Sequence, residues 1–405
     1  MNKLSIITAA LVIWLTTISG VQATPLKIYV DADRTGSRES GIAIEQGIRT
    51  ALSEVGNQVL DRPIELIIKD HRGSSPRSER HIRQFLADPD AIAVFAGLHS
   101  PPLLAQRDQI NEQKALVMVP WAAAGPITRG KSEENWIFRL SVDDTKAGSV
   151  IARAAVQNEG YKRPYLLLED TGWGKSNQRN MTSALVAMGT EPLGVEWFNW
   201  SLSENTARIL LRKIKQAGAD VIFLVANSPE GKSIARAMAS LPKEERLPIR
   251  SHWGITGGDF AQEISVETRS RLDLKFIQTR YSFINDADDA YGQKVLQTAS
   301  QVFPGRIRSG KDIDAPTGFI HSYDLTRILL QAIRQAGLSG DIKVDRNAVR
   351  RALENLQQPV RGLIKTYQQP FAVYTPDQPD AHEALSSEDY VMGHFLPDNT
   401  IMLER

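Results

Sequence analysis

Short apolar strands alternate with amphipathic helices along this chain, and the alternation runs twice. Residues 26–30, 64–68, 91–95 and 116–119 are mostly apolar runs of four or five residues. Between them, residues 39–55, 76–87 and 101–113 read as helices. Ile42, Ile48, Ala51, Leu52 and Val55 share a face of the first, with Gly56 as its stop, and Ile82, Phe85 and Leu86 share a face of the second. The pattern restarts near residue 145, with helices over 145–159, 176–188, 205–217 and 230–241. Strands fall at 164–168, 193–197, 221–225 and 247–251, and the helix at 205–217 places Ile209, Leu210, Ile214 and Ala217 inward. Strands this short and apolar, each followed by a helix, need a parallel sheet covered on both faces. The spacing predicts an α/β chain of two doubly wound parallel-sheet lobes, which a length of 405 residues accommodates. Three more helices follow at 287–302, 318–337 and 345–356, and from Pro370 the tail reads as loop, with Pro376, Pro379 and Pro397.

The first 23 residues read differently. Met1-Asn2-Lys3 is a short positive start, residues 4–18 carry no charge, and Val21-Gln22-Ala23 fits a small-x-small cleavage pattern. This is the pattern of a secretory signal peptide; the run is short for a membrane anchor and ends in a cleavage site rather than a basic stop. The expected address is a periplasm. There is no Cys, which excludes disulfides, Cys-ligated zinc, iron–sulfur clusters, thiol catalysis and a lipidated N-terminal Cys, so the chain is not expected to be a lipoprotein. Lys plus Arg number 48 against 47 for Asp plus Glu, which removes the electrostatic case for non-specific nucleic-acid binding.

In open α/β sheets, ligands bind beyond the carboxyl ends of the strands. The segments that follow the strands include Gly97-Leu-His-Ser100, Pro120-Trp-Ala-Ala123, Glu169-Asp-Thr-Gly-Trp173, Asn227-Ser-Pro-Glu230 and His252-Trp-Gly254. Trp121, Trp173 and Trp253 therefore stand at the expected edge, beside small residues that let backbone groups reach a ligand. Each alone could be packing; three together, spread over both lobes, point to an aromatic-walled cleft for a small molecule. His99, His252 and Ser100 read as hydrogen-bonding groups rather than catalysts. No nucleophile elbow, zinc-protease, phosphate-loop or dinucleotide motif occurs. His382-Glu383 lacks a second His, and the pairs Asp31/Asp33, Asp286/Asp288 and Asp312/Asp314 do not continue into calcium loops. No catalytic residue, metal or cofactor is expected.

Several local patterns resemble one group. Residues 42–51 (IAIEQGIRTA), Ala96-Gly-Leu-His-Ser100, Val119-Pro-Trp-Ala-Ala-Ala124, Gly172-Trp-Gly174 and residues 323–332 (YDLTRILLQA) are collinear with motifs of the type I periplasmic solute-binding proteins. The resemblance is to the leucine/isoleucine/valine-binding protein family of ABC importers and covers roughly residues 26–365. It implies two lobes joined by three crossovers, with the ligand bound between them by hinge closure. Lobe one would be 24–141 plus 278–370, and lobe two 142–277 plus 371–405. The implied ligand-binding residues are Ser100 for a carboxylate, Trp121, Ala122 and Ala123 in the next loop, Trp173 in the second-lobe turn, and Asn227 and Trp253 at later strand ends. Two departures stand out. Ala123 replaces a Thr hydroxyl, and Trp253 falls near the acid that pairs with an α-ammonium, so Glu169, Asp170 or another acid would have to substitute. The implied ligand is amino-acid-like, an amide, an aromatic or carboxylate compound, or a quaternary ammonium. The implied partner is an inner-membrane ABC permease, served by a monomer. A ligand sensor docking on a membrane kinase or cyclase, and a periplasmic hydrolase, are the rival readings. The region 374–390 is longer than a minimal member needs.

Overall fold

The computed structural model describes residues 24–130, 132 and 134–405, so the signal-peptide reading of residues 1–23 lies outside the described residues. The first sheet is seeded by β1 (Leu26–Ala32), which pairs in parallel with both β3 (Arg62–Asp70) and β4 (Ala91–Ala96). A two-residue β2 (Gln58–Val59) hairpins onto β3, while β5 (Val117–Val119) and β6 (Ile137–Arg139) extend the other side. The order is β2-β3-β1-β4-β5-β6. The second sheet runs β15-β14-β11-β10-β9-β7-β8. Its parallel part is β7 (Pro164–Glu169), β8 (Val195–Phe198), β9 (Val221–Val225), β10 (Ile249–Ser251) and β11 (Leu274–Thr279). β14 (Tyr390–Phe395) and β15 (Ile401–Glu404) close it antiparallel, and β12 (Val360–Arg361) with β13 (Thr366–Tyr367) forms a separate ribbon.

Both lobes are doubly wound, as the alternation predicts, with an antiparallel edge on the second. Helices α1 (Arg38–Ser53), α2 (Ser75–Ala87) and α3 (Ser100–Glu112) follow the first-lobe strands. Helices α4 (Asp144–Ala152), α5 (Gly172–Ala187), α6 (Glu204–Gln216) and α7 (Ser228–Ser240) serve the second, with short α8 (Phe260–Glu263) and α9 (Val266–Ser270). The chain then returns to the first lobe through α10 (Ala290–Val302), α11 (Pro316–Ala336) and α12 (Ile342–Glu354). On α6 the buried face is Ala207, Leu211 and Ile214; Ile209, expected inward, is 69% exposed. That face is one residue out of the sequence reading because Leu211, not Ile209, lies one turn from both Ala207 and Ile214. Helices α1 and α11 cross so closely that a Cβ on Gly47 would lie 2.2 Å from the Phe319 carbonyl oxygen.

The chain passes between the sheets three times: after β6, after β11 and before β14. A buried ionic cluster marks this junction. Arg139, fully buried, donates to Glu383 (Nε–Oε2 2.8 Å), to Asp143 (Nη2–Oδ1 3.0 Å) and to the Ala124 carbonyl (2.8 Å). Arg129 grips the other side of Asp143 (Nη2–Oδ2 2.7 Å) and also meets Asp380. Asp143 in turn caps α4 by accepting from the Thr145 backbone N–H. Burial alone would raise the Asp143 carboxyl, but the two guanidinium groups hold it well below the usual range. Residues 371–385 lie against this cluster and the first sheet. His382 stacks on Phe138 at 4.0 Å, Phe371 meets Phe138 edge-on at 5.0 Å, and Tyr374 donates to the Gly130 carbonyl.

Candidate functional site

Each sheet has one place where consecutive strands depart to opposite sides, and ligand sites of doubly wound folds form there. In the first sheet it lies between β1 and β4; in the second, between β7 and β9. The two places face one another. β1 ends near Asp33, β4 near His99 and Ser100, β7 at Glu169, and β9 near Asn227.

Leu98, His99, Ser100, Trp121, Ala123, Trp173, Asn227 and Trp253 line one cleft here. Of the seven residues nominated from sequence, six share it. Ala122 does not line it; its carbonyl faces the crossover, accepting from Arg139 (3.3 Å) and from the Ser141 hydroxyl (3.4 Å). The cleft encloses only about 10 Å³, room for about one water. The indoles fill it. Trp121 of the first lobe and Trp253 of the second stand 5.6 Å apart at 40°. Trp173 donates its Nε1–H to Asp144 Oδ1 (3.1 Å) and meets His252 edge-on at 5.0 Å.

The first-lobe wall is built from backbone constraint. Leu98 sits at φ 77°, a left-handed conformation that non-glycine residues adopt at a cost, and it turns the chain so that α3 starts beside the cleft. Ser100 Oγ accepts the Ala124 N–H at 3.2 Å, tying this loop to the one after β5. Pro101 and Pro102 remove two N–H groups from the first turn of α3, so the anion-holding capacity of this helix start rests on the His99 and Ser100 amides.

His99 bonds Asp33 through Nε2 (3.0 Å), while its buried Nδ1 has no partner. Burial would raise the Asp33 carboxyl, but the bonds from His99 and from the Gly36 and Thr35 amides hold it well below its ordinary range. Trp200, from the loop after β8, lies 5.5 Å from the His99 ring and spans the two lobes. On the second-lobe side, Glu169 is fully buried and accepts from Asn227 Nδ2 (3.1 Å) and Thr171 Oγ1 (3.1 Å). Burial pushes its carboxyl up, which a bond from Trp200 offsets in part. Asp144 is also fully buried, and its Oδ2 has no partner. His252 accepts the Trp253 N–H on Nδ1 (3.0 Å), while its Nε2 lies 3.1 Å from Asp144 Oδ1 without a hydrogen bond to it. Behind Trp253, burial pushes the His321 imidazole down to about 3, so a neutral ring donates to the Pro120 carbonyl (3.1 Å).

Asp33, Asp144, Trp200 and His321 were not nominated from sequence. Asp33 lies just past a strand end, which was a usable signal. Trp200 lies in a loop with no period, and Asp144 and His321 are helical residues whose role appears only when the lobes are set together. Among the described residues no Lys or Arg lines the cleft, and no group of three or more His, Asp or Glu could hold a metal ion.

The sequence profile of the family described as periplasmic binding protein matches residues 25–244. The chain is 25% identical over 338 residues to Leu/Ile/Val-binding protein homolog 6 of Brucella melitensis, covering 83% of this chain and 82% of that one. Among solved structures, a periplasmic binding protein type 1 from Bordetella pertussis superposes with a TM-score of 0.76 at 19% identity, covering 94% and 99% of the two chains. A solute-binding protein of an ABC transporter from R. palustris, solved with 4-hydroxybenzoate, gives 0.75 at 16% identity over 94% and 95%. A leucine-binding protein from Thermotoga maritima gives 0.71 at 17% identity over 94% and 98%.

Proposed function

This chain belongs to the periplasmic binding protein family, and from that premise we propose that it is the solute receptor of an ABC importer. It captures a small metabolite, amino-acid-like, an amide or an aromatic or carboxylate compound, between its lobes in the periplasm, and the closed form docks on a permease as a monomer. One observation carries this reading: indoles from both lobes meet across a cleft at the facing switch points of the two sheets. Three indoles offer flat apolar walls, and the unpartnered polar atoms beside them offer orientation. The 10 Å³ cleft is far below the roughly 300 Å³ of a small-molecule pocket, so admission requires the lobes to separate or the indoles to turn. Ser100, Trp121, Ala123, Trp173, Asn227 and Trp253 are the proposed contacts, with Ala122 acting through its backbone at the crossover. The reading is supported by solved relatives whose bound or named ligands are 4-hydroxybenzoate and leucine.

The test is to purify the exported chain, identify any co-purifying compound by mass spectrometry, and titrate 4-hydroxybenzoate, leucine and choline while following tryptophan fluorescence and melting temperature. Saturable quenching by one compound, recovered unchanged after long incubation, is the expected result. No co-purified compound and no response to any of the three would defeat the receptor reading. Chemical alteration of the compound would favour an enzyme.

A further inference from the structure

Helix α3 joins two cavities. Its first residue, Ser100, lines the cleft; its last, Glu112, lines a second cavity of about 580 Å³ on the far side of lobe one. A helix of 13 residues puts these ends about 18 Å apart. The second cavity opens between the ends of α2 and α3 and the start of α12 and lies in lobe one alone. Its volume is within the range of small-molecule sites.

Four cations line it, Arg83, Lys114, Lys343 and Arg346, against the single acid Glu112. Arg346 forms the floor. It is 3% exposed, and its guanidinium lies 4.3 Å over the Phe85 ring. Its Nε donates to the Ala91 carbonyl (2.8 Å) and its Nη2 to the Phe85 carbonyl (3.0 Å); among the described residues Nη1 has no partner. Among the described residues no carboxylate pairs with it. The nearby Asp88 carboxylate is taken by Lys27 (3.0 Å) and Tyr29 (3.0 Å) and offers Arg346 only its main-chain oxygen, at 3.3 Å. The adjacent Asp345 carboxylate is taken by Ser339. Burial pulls the Arg346 guanidinium down to about 10, which the nearby Asp88 charge offsets only in part. A buried cation held only by carbonyls, with a free N–H edge on a cavity rimmed by cations, is a fixed fork for an oxyanion.

We propose that this cavity is a second binding site, independent of the cleft, for a small multivalent anion bearing phosphate or polycarboxylate groups. Arg346 supplies the fork, and Lys343, which forms no ion pair among the described residues, closes on the anion from α12. The stretch at Leu86 accommodates an apolar body on the ligand.

Calorimetric titration of the exported full chain with pyrophosphate and with citrate, at ionic strength matched by sodium chloride, tests this. The expected result is one site per chain for at least one of the two. Lys343→Glu, an exposed substitution that leaves folding intact, weakens it at least tenfold. Arg346→Lys keeps the charge but loses the fork and also weakens it, whereas Trp121→Ala leaves it unchanged. Heats no larger than those of the salt control for both anions, or undiminished binding in the Lys343→Glu chain, would overturn the proposal. A chain that binds nothing in its cleft would still bind the anion here.

Discussion

The junction between the lobes holds two equally buried clusters that solve opposite problems. At the crossovers, Arg139, Arg129, Asp143 and Glu383 form a charged group in which every carboxylate oxygen has a donor. In the cleft, the buried surface is indole, and His99 Nδ1 and Asp144 Oδ2 have no partner. A fully satisfied ionic network has one arrangement and resists change. An aromatic surface with a few unpartnered polar atoms can separate and re-form around something else. The difference divides the labour: the crossover cluster keeps the hinge in register, and the cleft is the part that changes.

The largest effect is expected at the hinge. Arg139→Met strips Glu383 of both its guanidinium bonds and leaves Asp143 with Arg129 alone, and losing one partner of such a buried group costs about 3–5 kcal/mol. Denaturant unfolding measures it, and the loss should exceed that of any single cleft substitution. Equal losses from Arg139→Met and Trp253→Ala would dissolve the contrast.

Next in size is a pH effect at the back of the cleft. The unfolded imidazole of His321 takes a proton near 6.5, while the folded one stays neutral down to about 3. Below pH 6.5 the unfolded chain therefore binds the extra proton, and stability falls as pH falls towards 3. At pH 5 this single group removes about 2 kcal/mol. His321→Gln keeps a donor for the Pro120 carbonyl and removes the titration. The stability difference between the two chains should thus vary with pH between 7 and 3, and a constant difference would show that His321 is not held neutral.

Third, Trp121→Ala separates the two clusters by function. Truncating a core aromatic costs about 3–5 kcal/mol. Because the lobes can part at the cleft, the unfolding cost here should be below about 2 kcal/mol, while affinity for the cleft ligand drops at least about tenfold. A full core penalty with unchanged affinity would make Trp121 packing only.

The same contrast explains which residues are legible in the sequence. Loops after apolar strands announce themselves by the strands, so Ser100, Trp121, Ala123, Trp173, Asn227 and Trp253 stand out from the amino-acid order alone, and all six line one cleft. Groups that act across the lobes do not stand out. Trp200 reaches His99 from another lobe, and His321 comes from a helix roughly 200 residues after Pro120, whose carbonyl it holds. Strands β6, β11, β14 and β15 also escape the pattern. β6 is three residues long and ends in the charged Arg139, whose burial is balanced by Asp143 four positions on and by Glu383, 244 positions away. β14 and β15 lie in a tail whose prolines outweigh its brief alternation. Residues 371–385 carry no period at all, because they are held by contacts with Phe138 and Arg139 rather than by a face of their own.

The smallest effect sharpens the comparison most, because it touches closure alone. Gly257 of the second lobe has φ −83° and ψ 104°, which alanine adopts without strain. A Cβ there would lie 2.9 Å from Ser40 Oγ and 3.0 Å from Trp121 Cζ2, both in the first lobe. Within its own lobe the added methyl meets only the Gly254 carbonyl oxygen, at 3.3 Å, and the two tighter contacts arise when the lobes meet. Gly257→Ala should therefore leave the melting temperature of the empty chain nearly unchanged and weaken cleft-ligand affinity about three- to tenfold, as expected for a penalty on the closed state only. Small-angle scattering of the empty chain should shift towards a larger radius of gyration. Anion binding in the cavity of lobe one should be untouched, since nothing there closes against the second lobe. If scattering and affinity both matched the unsubstituted chain, the two lobes would not meet at Gly257 as a closing surface, and the cleft could not be the part that changes.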